Sequence, residues 1–213
     1  MEKKKSDTSS VHGKKRQRRK DERPAEIIEA GLLEFAENGF AGTRLSDVAL
    51  RAGVVKGTIY RYFDSKEALF QAAVASRIVS TLDHVEDLVD TYPGPTDELL
   101  KRVLQMIYEK IIGSDARILI HIVIAEGARF PEIPAYYHRE IISKATVLLD
   151  RIVRRGIERG EFRDGPAAKV PIVLMAPAIL AAVWKLTFEQ VEPLALDPFI
   201  EAHMDIILNG LRA

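Results

Sequence analysis

Five side chains able to hydrogen-bond to phosphate oxygens or base edges fall within seven consecutive positions: Lys56, Thr58, Tyr60, Arg61 and Tyr62. Gly57 sits among them, and a residue without a side chain lets a backbone approach a groove closely. Positive, hydroxyl-bearing and aromatic donors in so short a span suit contact with a polyanion better than they suit a core. Other chemistry is poorly served. The chain has no cysteine, which removes disulfides, thiolate zinc sites and a cysteine nucleophile. Its histidines at 12, 84, 121, 138 and 203 show no HExxH or comparable metal spacing, and no G-x-S-x-G elbow occurs. Gly53, Gly57 and Thr58 do not form a phosphate loop, because the lysine precedes the second glycine instead of following it. Neither an enzyme nor a bound metal or cofactor is expected.

Two short helical patterns must position those donors. Leu45, Val48, Ala49 and Ala52 form the inner face of one, which Thr43 is placed to cap. Gly53 supplies the turn, and a second pattern begins at Val55 or Lys56, with Val54 and Ile59 filling the core between the two. A preceding helix from Pro24 carries Ile27, Ile28, Leu32, Phe35 and Ala36 and closes at Asn38-Gly39. The arrangement is a helix-turn-helix, with Lys56, Thr58, Tyr60, Arg61 and Tyr62 left on the outside.

Beyond it, apolar spacing stays helical and no stretch alternates with period two, so the fold class is all-α. Asp64 and Glu67 form a capping box for a long helix with the stripe Phe70, Val74, Ile78, Leu82, Val85 and Val89. Thr96 and Ser114 are candidate caps for two more helices. "RFPEIPA" breaks the chain before a helix that bears Ile141, Ala145, Leu148 and Ile152 and ends near Gly160. Residues 166–190 read as one helix kinked at Pro177, and Asp197-Pro198 opens the last. "VPIVLMAPAILAAVW" is too short and too proline-broken to span a bilayer, and the polar N-terminus lacks a signal-peptide core, so a soluble, cytoplasmic protein is expected.

The net charge of zero conceals a polarised chain. Residues 1–23 hold ten Lys/Arg against four Asp/Glu. Their run "KKRQRRK", residues 14–20, cannot bury itself and is expected to be disordered, either as a solvated tail or as an arm that touches a polyanion. Residues 24–66 are almost neutral, with five basic and six acidic side chains, which favours the arm because phosphate neutralisation supplies most non-specific affinity. The expected organisation is a tail over 1–23, a helix-turn-helix domain over 24–69 and a larger helical domain over 70–213.

"GFAGTRLSDVALRAGVVKGTIYRYFDSKEALF", residues 39–70, resembles the DNA-binding headpiece of the TetR family of bacterial transcriptional repressors. The shared elements are Gly-Phe, Thr, Ala-Gly-Val, Gly-Thr, Tyr-x-Tyr-Phe and Ser-Lys-Glu, with Arg44 and Ser46 departing from the family's commoner Ser or Thr and Arg. The resemblance implies that Thr43, Arg44 and Ser46 meet phosphate or the groove edge. It further implies that Lys56, Gly57, Thr58 and Tyr60 enter the major groove, while Tyr62 and Lys66 hold the DNA backbone. It also implies a homodimer that binds operator DNA and lets go when a small molecule enters the C-terminal domain.

Met106, Tyr108, Arg117, His121, Phe130, Tyr136, Tyr137 and Trp184 are the candidates for lining that effector site. Their mixture of aromatic walls and scattered polar groups suits a largely apolar or amphipathic molecule. The alternative is a C-terminal domain that only dimerises. Residues 166–190 are apolar on two faces, one bearing Ile172, Met175, Ala176, Ile179 and Val183 and the other Val173, Leu180, Trp184 and Phe188. The first face, with Met204, Ile207 and Leu211 of the last helix, is the candidate dimer interface.

Overall fold

The computed structural model describes the backbone of residues 9–212 and the side chains of residues 23–212. Among these residues it is all α, and the one β feature is an isolated antiparallel bridge between Phe162 and Arg212. The chain divides into two compact units, residues 1–69 and 70–213.

In the first unit, α1 (Ser9–Gly42) breaks at Gly39, whose φ of 66° ends the regular helix where Asn38-Gly39 suggests. The helix begins at Ser9 and carries Pro24 inside it, so the backbone of the basic run is helical where disorder is expected from composition. Lys, Arg and Gln are good helix formers, and that propensity acts without any need for burial. The side chains of residues 14–20, and with them the question of an arm, lie outside the described residues.

Ile27, Leu32, Phe35 and Phe40 from α1 pack with Val48 and Ala49 of α2 (Leu45–Arg51) and Ile59 of α3 (Lys56–Ile59). The turn between α2 and α3 passes through Gly53 at φ 64°, a conformation that a residue with a Cβ adopts only under strain. The capping differs from expectation at two helices. Arg44, in extended conformation, is the N-cap of α2 in place of Thr43, and the Ser65 hydroxyl, not Asp64, accepts the Ala68 amide at 3.1 Å as α4 (Lys66–Val74) opens.

An ion-pair cluster ties α2 to α1. Glu34 is only 6% exposed, and it accepts from Arg51 Nε at 2.7 Å and from Asn38 Nδ2 at 2.8 Å. Arg51 also pairs with Glu37, and its charge sits in the last turn of α2, where the helix dipole favours a cation.

In the second unit the stripe expected on the long helix is buried throughout, but a π turn at Ala75–Val79 separates α4 from α5 (Ser80–Thr91). Two further π turns, Tyr108–Ile112 and His138–Ile142, end α6 (Thr96–Ile107) and join α8 (Glu132–Tyr137) to α9 (Ser143–Glu158). The Ser114 hydroxyl accepts the Ala116 amide at 3.1 Å just ahead of α7 (Arg117–Glu126). α5, α6 and α9 pack on one another.

Residues 166–190 do not form one kinked helix. α10 (Pro166–Lys169) stops at Val170, a 3-10 turn spans Pro171–Met175, and Pro177 lies in the first turn of α11 (Ala176–Thr187). All three prolines lack an amide hydrogen, so each is accommodated at a helix start instead of in an interior. α12 (Leu196–Leu211) closes the unit and buries His203, whose Nδ1 accepts from the Tyr108 hydroxyl at 2.9 Å while Nε2–H donates to the Leu174 carbonyl at 2.9 Å.

Candidate DNA interface and apolar cavity

α3 anchors itself through Ile59, which is fully buried, and turns the residues on either side outward. Lys56, Gly57, Tyr60 and Arg61 are exposed, Thr58 and Tyr62 are half-buried, and Arg44 is exposed at the start of α2. Ser46 is half-buried, with its hydroxyl 3.3 Å from a carboxylate oxygen of Asp47. A Cβ added at Gly57 would meet nothing within 4 Å, and its φ is not positive. The fold therefore does not require glycine there.

Two residues expected on the DNA have work inside the unit. Thr43 is 3% exposed, and its hydroxyl lies 2.7 Å from the Gly39 carbonyl and 3.1 Å from that of Glu34. Lys66 donates to the carbonyls of Phe40 at 2.8 Å and Ala41 at 3.0 Å, with its ammonium 4.7 Å from the centre of the Phe40 ring. Both satisfy carbonyls left over where α1 ends, a demand that the break at Gly39 creates. Two apolar residues join the display without having been expected there. Leu50 on α2 is 82% exposed and Val55 just before Lys56 is 75% exposed. The signal for Val55 was its place at the start of α3, the end from which recognition helices reach base edges.

The second unit holds a partly open cavity of about 210 Å³. Each π turn contributes to its wall: Ile78 from the first, Ile111 and Ile112 from the second, Ile141 and Ile142 from the third. α5 adds Leu82 and Val85, α6 adds Val103 and Ile107, and α9 adds Leu148, Leu149 and Ile152. Such turns are rare and recur at functional sites, where their extra residue widens the helix.

Of the eight effector candidates only Tyr137 lines this cavity. Tyr108 is buried against His203, Arg117 donates to the Ser114 carbonyl at 2.6 Å, and His121 is exposed. Tyr136 donates to the Gln71 carbonyl at 3.3 Å, Trp184 donates to the Glu192 carbonyl at 2.8 Å, and Met106 and Phe130 are half-buried away from the wall. Tyr108, Tyr136, Trp184 and one guanidinium nitrogen of Arg117 bond to nearby groups, and the hollow is lined, Tyr137 apart, by aliphatic side chains.

The dimer candidates are redistributed too. Ile172, Met175, Ala176 and Ile179 line the cavity, Ile207 and Leu211 are buried within the unit, and Val183 and Met204 are half-buried. Both faces keep exposure: Ile172 at 36% and Ile179 at 39% are exposed at the cavity, and the other face is more so, with Val173 at 51%, Leu180 at 54% and Phe188 at 45%, while Ile206 on α12 is 66% exposed.

Among the described residues no helix is long and apolar enough to cross a membrane, and no cluster of His, Asp and Glu could hold a metal ion. Residues 27–73 match the model of the bacterial regulatory proteins, tetR family. The chain is 26% identical over 191 residues to the HTH-type transcriptional repressor KstR2 of Mycobacterium tuberculosis, covering 89% of this chain and 92% of that one. It is 24% identical over 197 residues to the fatty acid metabolism regulator protein of Bacillus subtilis, covering 91% and 98%. The crystal structure of the B. subtilis regulator FadR in complex with stearoyl-CoA superposes with a TM-score of 0.74 at 22% identity, over 87% of this chain and 98% of that one. Over residues 27–73 the chain carries the helix-turn-helix of the bacterial regulatory proteins, tetR family, and relatives named as transcriptional regulators run along most of its length.

Proposed function

We propose that the chain is a homodimeric repressor whose headpieces grip operator DNA and release it when a small apolar molecule enters the C-terminal cavity. The observation that carries the ligand response is the cavity itself. A dimerisation-only domain would be packed solid, as protein interiors are, whereas this unit has a cavity of about 210 Å³ lined almost wholly by aliphatic side chains. Relatives support the reading: one is named a repressor, and the FadR structure holds stearoyl-CoA.

On the DNA side, Arg44, Ser46, Lys56, Gly57, Thr58, Tyr60, Arg61 and Tyr62 form the contact set, with Lys56 and Tyr60 toward base edges and the others toward phosphate. Thr43 and Lys66 support the set from behind. The partner surface is Val173, Leu180 and Phe188 with Ile206, since an apolar face left in solvent on a helix already packed on its other side marks an interaction site. A two-fold dimer of such headpieces fits a near-palindromic operator with half-sites about one helical turn, roughly 34–36 Å, apart.

The ligand acts by preferring one of two conformations of the dimer. A molecule that binds the non-DNA-bound conformation better weakens operator binding by that differential affinity, and operator weakens the molecule's binding in return. The test is an operator titration in the presence of apolar compounds that raise the protein's Tm. The operator Kd should rise with their concentration. A Kd unchanged by every stabilising compound would contradict the ligand response while leaving DNA binding intact.

A further inference from the structure

The side chains on the wall of the C-terminal cavity are apolar except at one point. Tyr137 is 8% exposed and lines the cavity, and among the described residues its hydroxyl has no hydrogen-bond partner. The other two tyrosines placed in this unit's interior are provided for, Tyr108 by His203 and Tyr136 by the Gln71 carbonyl. The hydroxyl lies on the cavity wall, where a molecule in the cavity is its available partner. Burial pushes the Tyr137 phenol pKa up, so the group is a protonated donor at any physiological pH.

No Asp, Glu, Lys, Arg or His lines the cavity, so a carboxylate or ammonium drawn inside would lose its hydration with nothing to replace it. Size narrows the class as well. A 150 Å³ apolar cavity holds benzene, so about 210 Å³ accommodates a molecule of roughly eight or nine non-hydrogen atoms.

We infer that the cavity takes a neutral, hydrocarbon-rich carbonyl compound, a ketone or ester, whose oxygen accepts a hydrogen bond from Tyr137. This rests on the reading of the cavity as the effector site and adds the chemistry it selects. The aliphatic wall supplies affinity without direction, and the one hydroxyl supplies orientation and discrimination against the bare hydrocarbon.

The test uses the full chain, wild type and Tyr137→Phe, with three probes of matched size: acetophenone, ethylbenzene and benzoate, their Kd values measured by calorimetry. Tyr137→Phe should weaken acetophenone about fivefold, the equivalent of one lost neutral hydrogen bond, and leave ethylbenzene within about twofold. Benzoate should bind neither protein. Without ligand the Tyr137→Phe protein should melt no lower than wild type, because the hydroxyl it loses has no protein partner. An equal loss for acetophenone and ethylbenzene, benzoate bound as well as acetophenone, or a lowered Tm would each overturn the inference while leaving the cavity as a ligand site. If neither neutral probe binds either protein, the cavity reading itself fails and this inference falls with it.

Discussion

The two units spend their polar groups differently. In the headpiece, Glu34, Arg51, Thr43 and Lys66 are tied into the ends of short helices, and that internal bonding holds Lys56, Tyr60 and Arg61 out in solvent. In the C-terminal unit the polar and aromatic side chains bond elsewhere, and a hollow remains whose wall is aliphatic apart from Tyr137. One unit acts through what it displays and the other through what it encloses. A polar substitution on the displayed face should therefore change affinity with little effect on folding, and a substitution behind it should do the reverse.

The largest expected effect separates the two apolar faces of α11. Leu180→Glu places a carboxylate on the proposed partner surface, where burial without a counter-charge costs on the order of 3 kcal/mol, so the dimer constant should fall more than a hundredfold. Ile179→Glu, one residue away on the cavity wall, should abolish binding of neutral apolar probes and disturb the dimer far less. Sedimentation equilibrium on both variants checks the pair. An interface lost with Ile179→Glu but kept with Leu180→Glu would restore the first assignment of the stripes.

The headpiece divides in the same way. Tyr60→Phe keeps the ring and removes an exposed hydroxyl, so operator binding should weaken by about 1–2 kcal/mol with the melting curve unchanged. Thr43→Val removes a buried hydroxyl that serves the Gly39 carbonyl, so stability should fall by about 1 kcal/mol while the folded fraction binds operator as wild type does. Paired denaturation and anisotropy titrations read both variants. Interchanged results would place Thr43 at the DNA and Tyr60 in the fold.

The smallest effect is a pH dependence confined to the C-terminal unit. Burial lowers the His203 pKa below its ordinary 6.5, opposed in part by the bond to the Leu174 carbonyl. The unfolded chain then takes up a proton near 6.5 that the folded chain refuses until lower pH. The stability this provides is full above about 6.5 and declines as pH falls from there toward the folded value. Denaturant unfolding followed between pH 7.5 and 5 should show that decline, and His203→Gln should flatten it.

How much was legible follows from the same contrast. The helix-turn-helix could be read because its signals are residue types at fixed spacing: a glycine at a turn that needs φ 64°, Ile59 facing in, lysine and tyrosine facing out. The internal bonds of Thr43 and Lys66 are not legible in sequence, because a hydroxyl and an ammonium suit phosphate and a helix-end carbonyl equally well. Only the break at Gly39 shows which carbonyls were waiting.

The cavity was not legible from its own residues. Ile78, Leu149 and Ile152 at helical spacing look the same whether they pack against a neighbour or around a void, and the π turns that widen the helices leave no mark in composition. The two faces of α11 were both visible as apolar, but periodicity cannot say which faces inward when the segment before it is broken by Pro171 and Pro177.

The most direct test of the account is selection of DNA fragments from a random pool by the purified full chain, followed by sequencing of what is retained. A displayed face of this kind on a two-fold dimer predicts one enriched near-palindrome with half-sites centred roughly one helical turn apart, and loss of that enrichment on substituting Lys56 and Tyr60 by alanine. Retention without any enriched sequence, or enrichment that survives both substitutions, would contradict it.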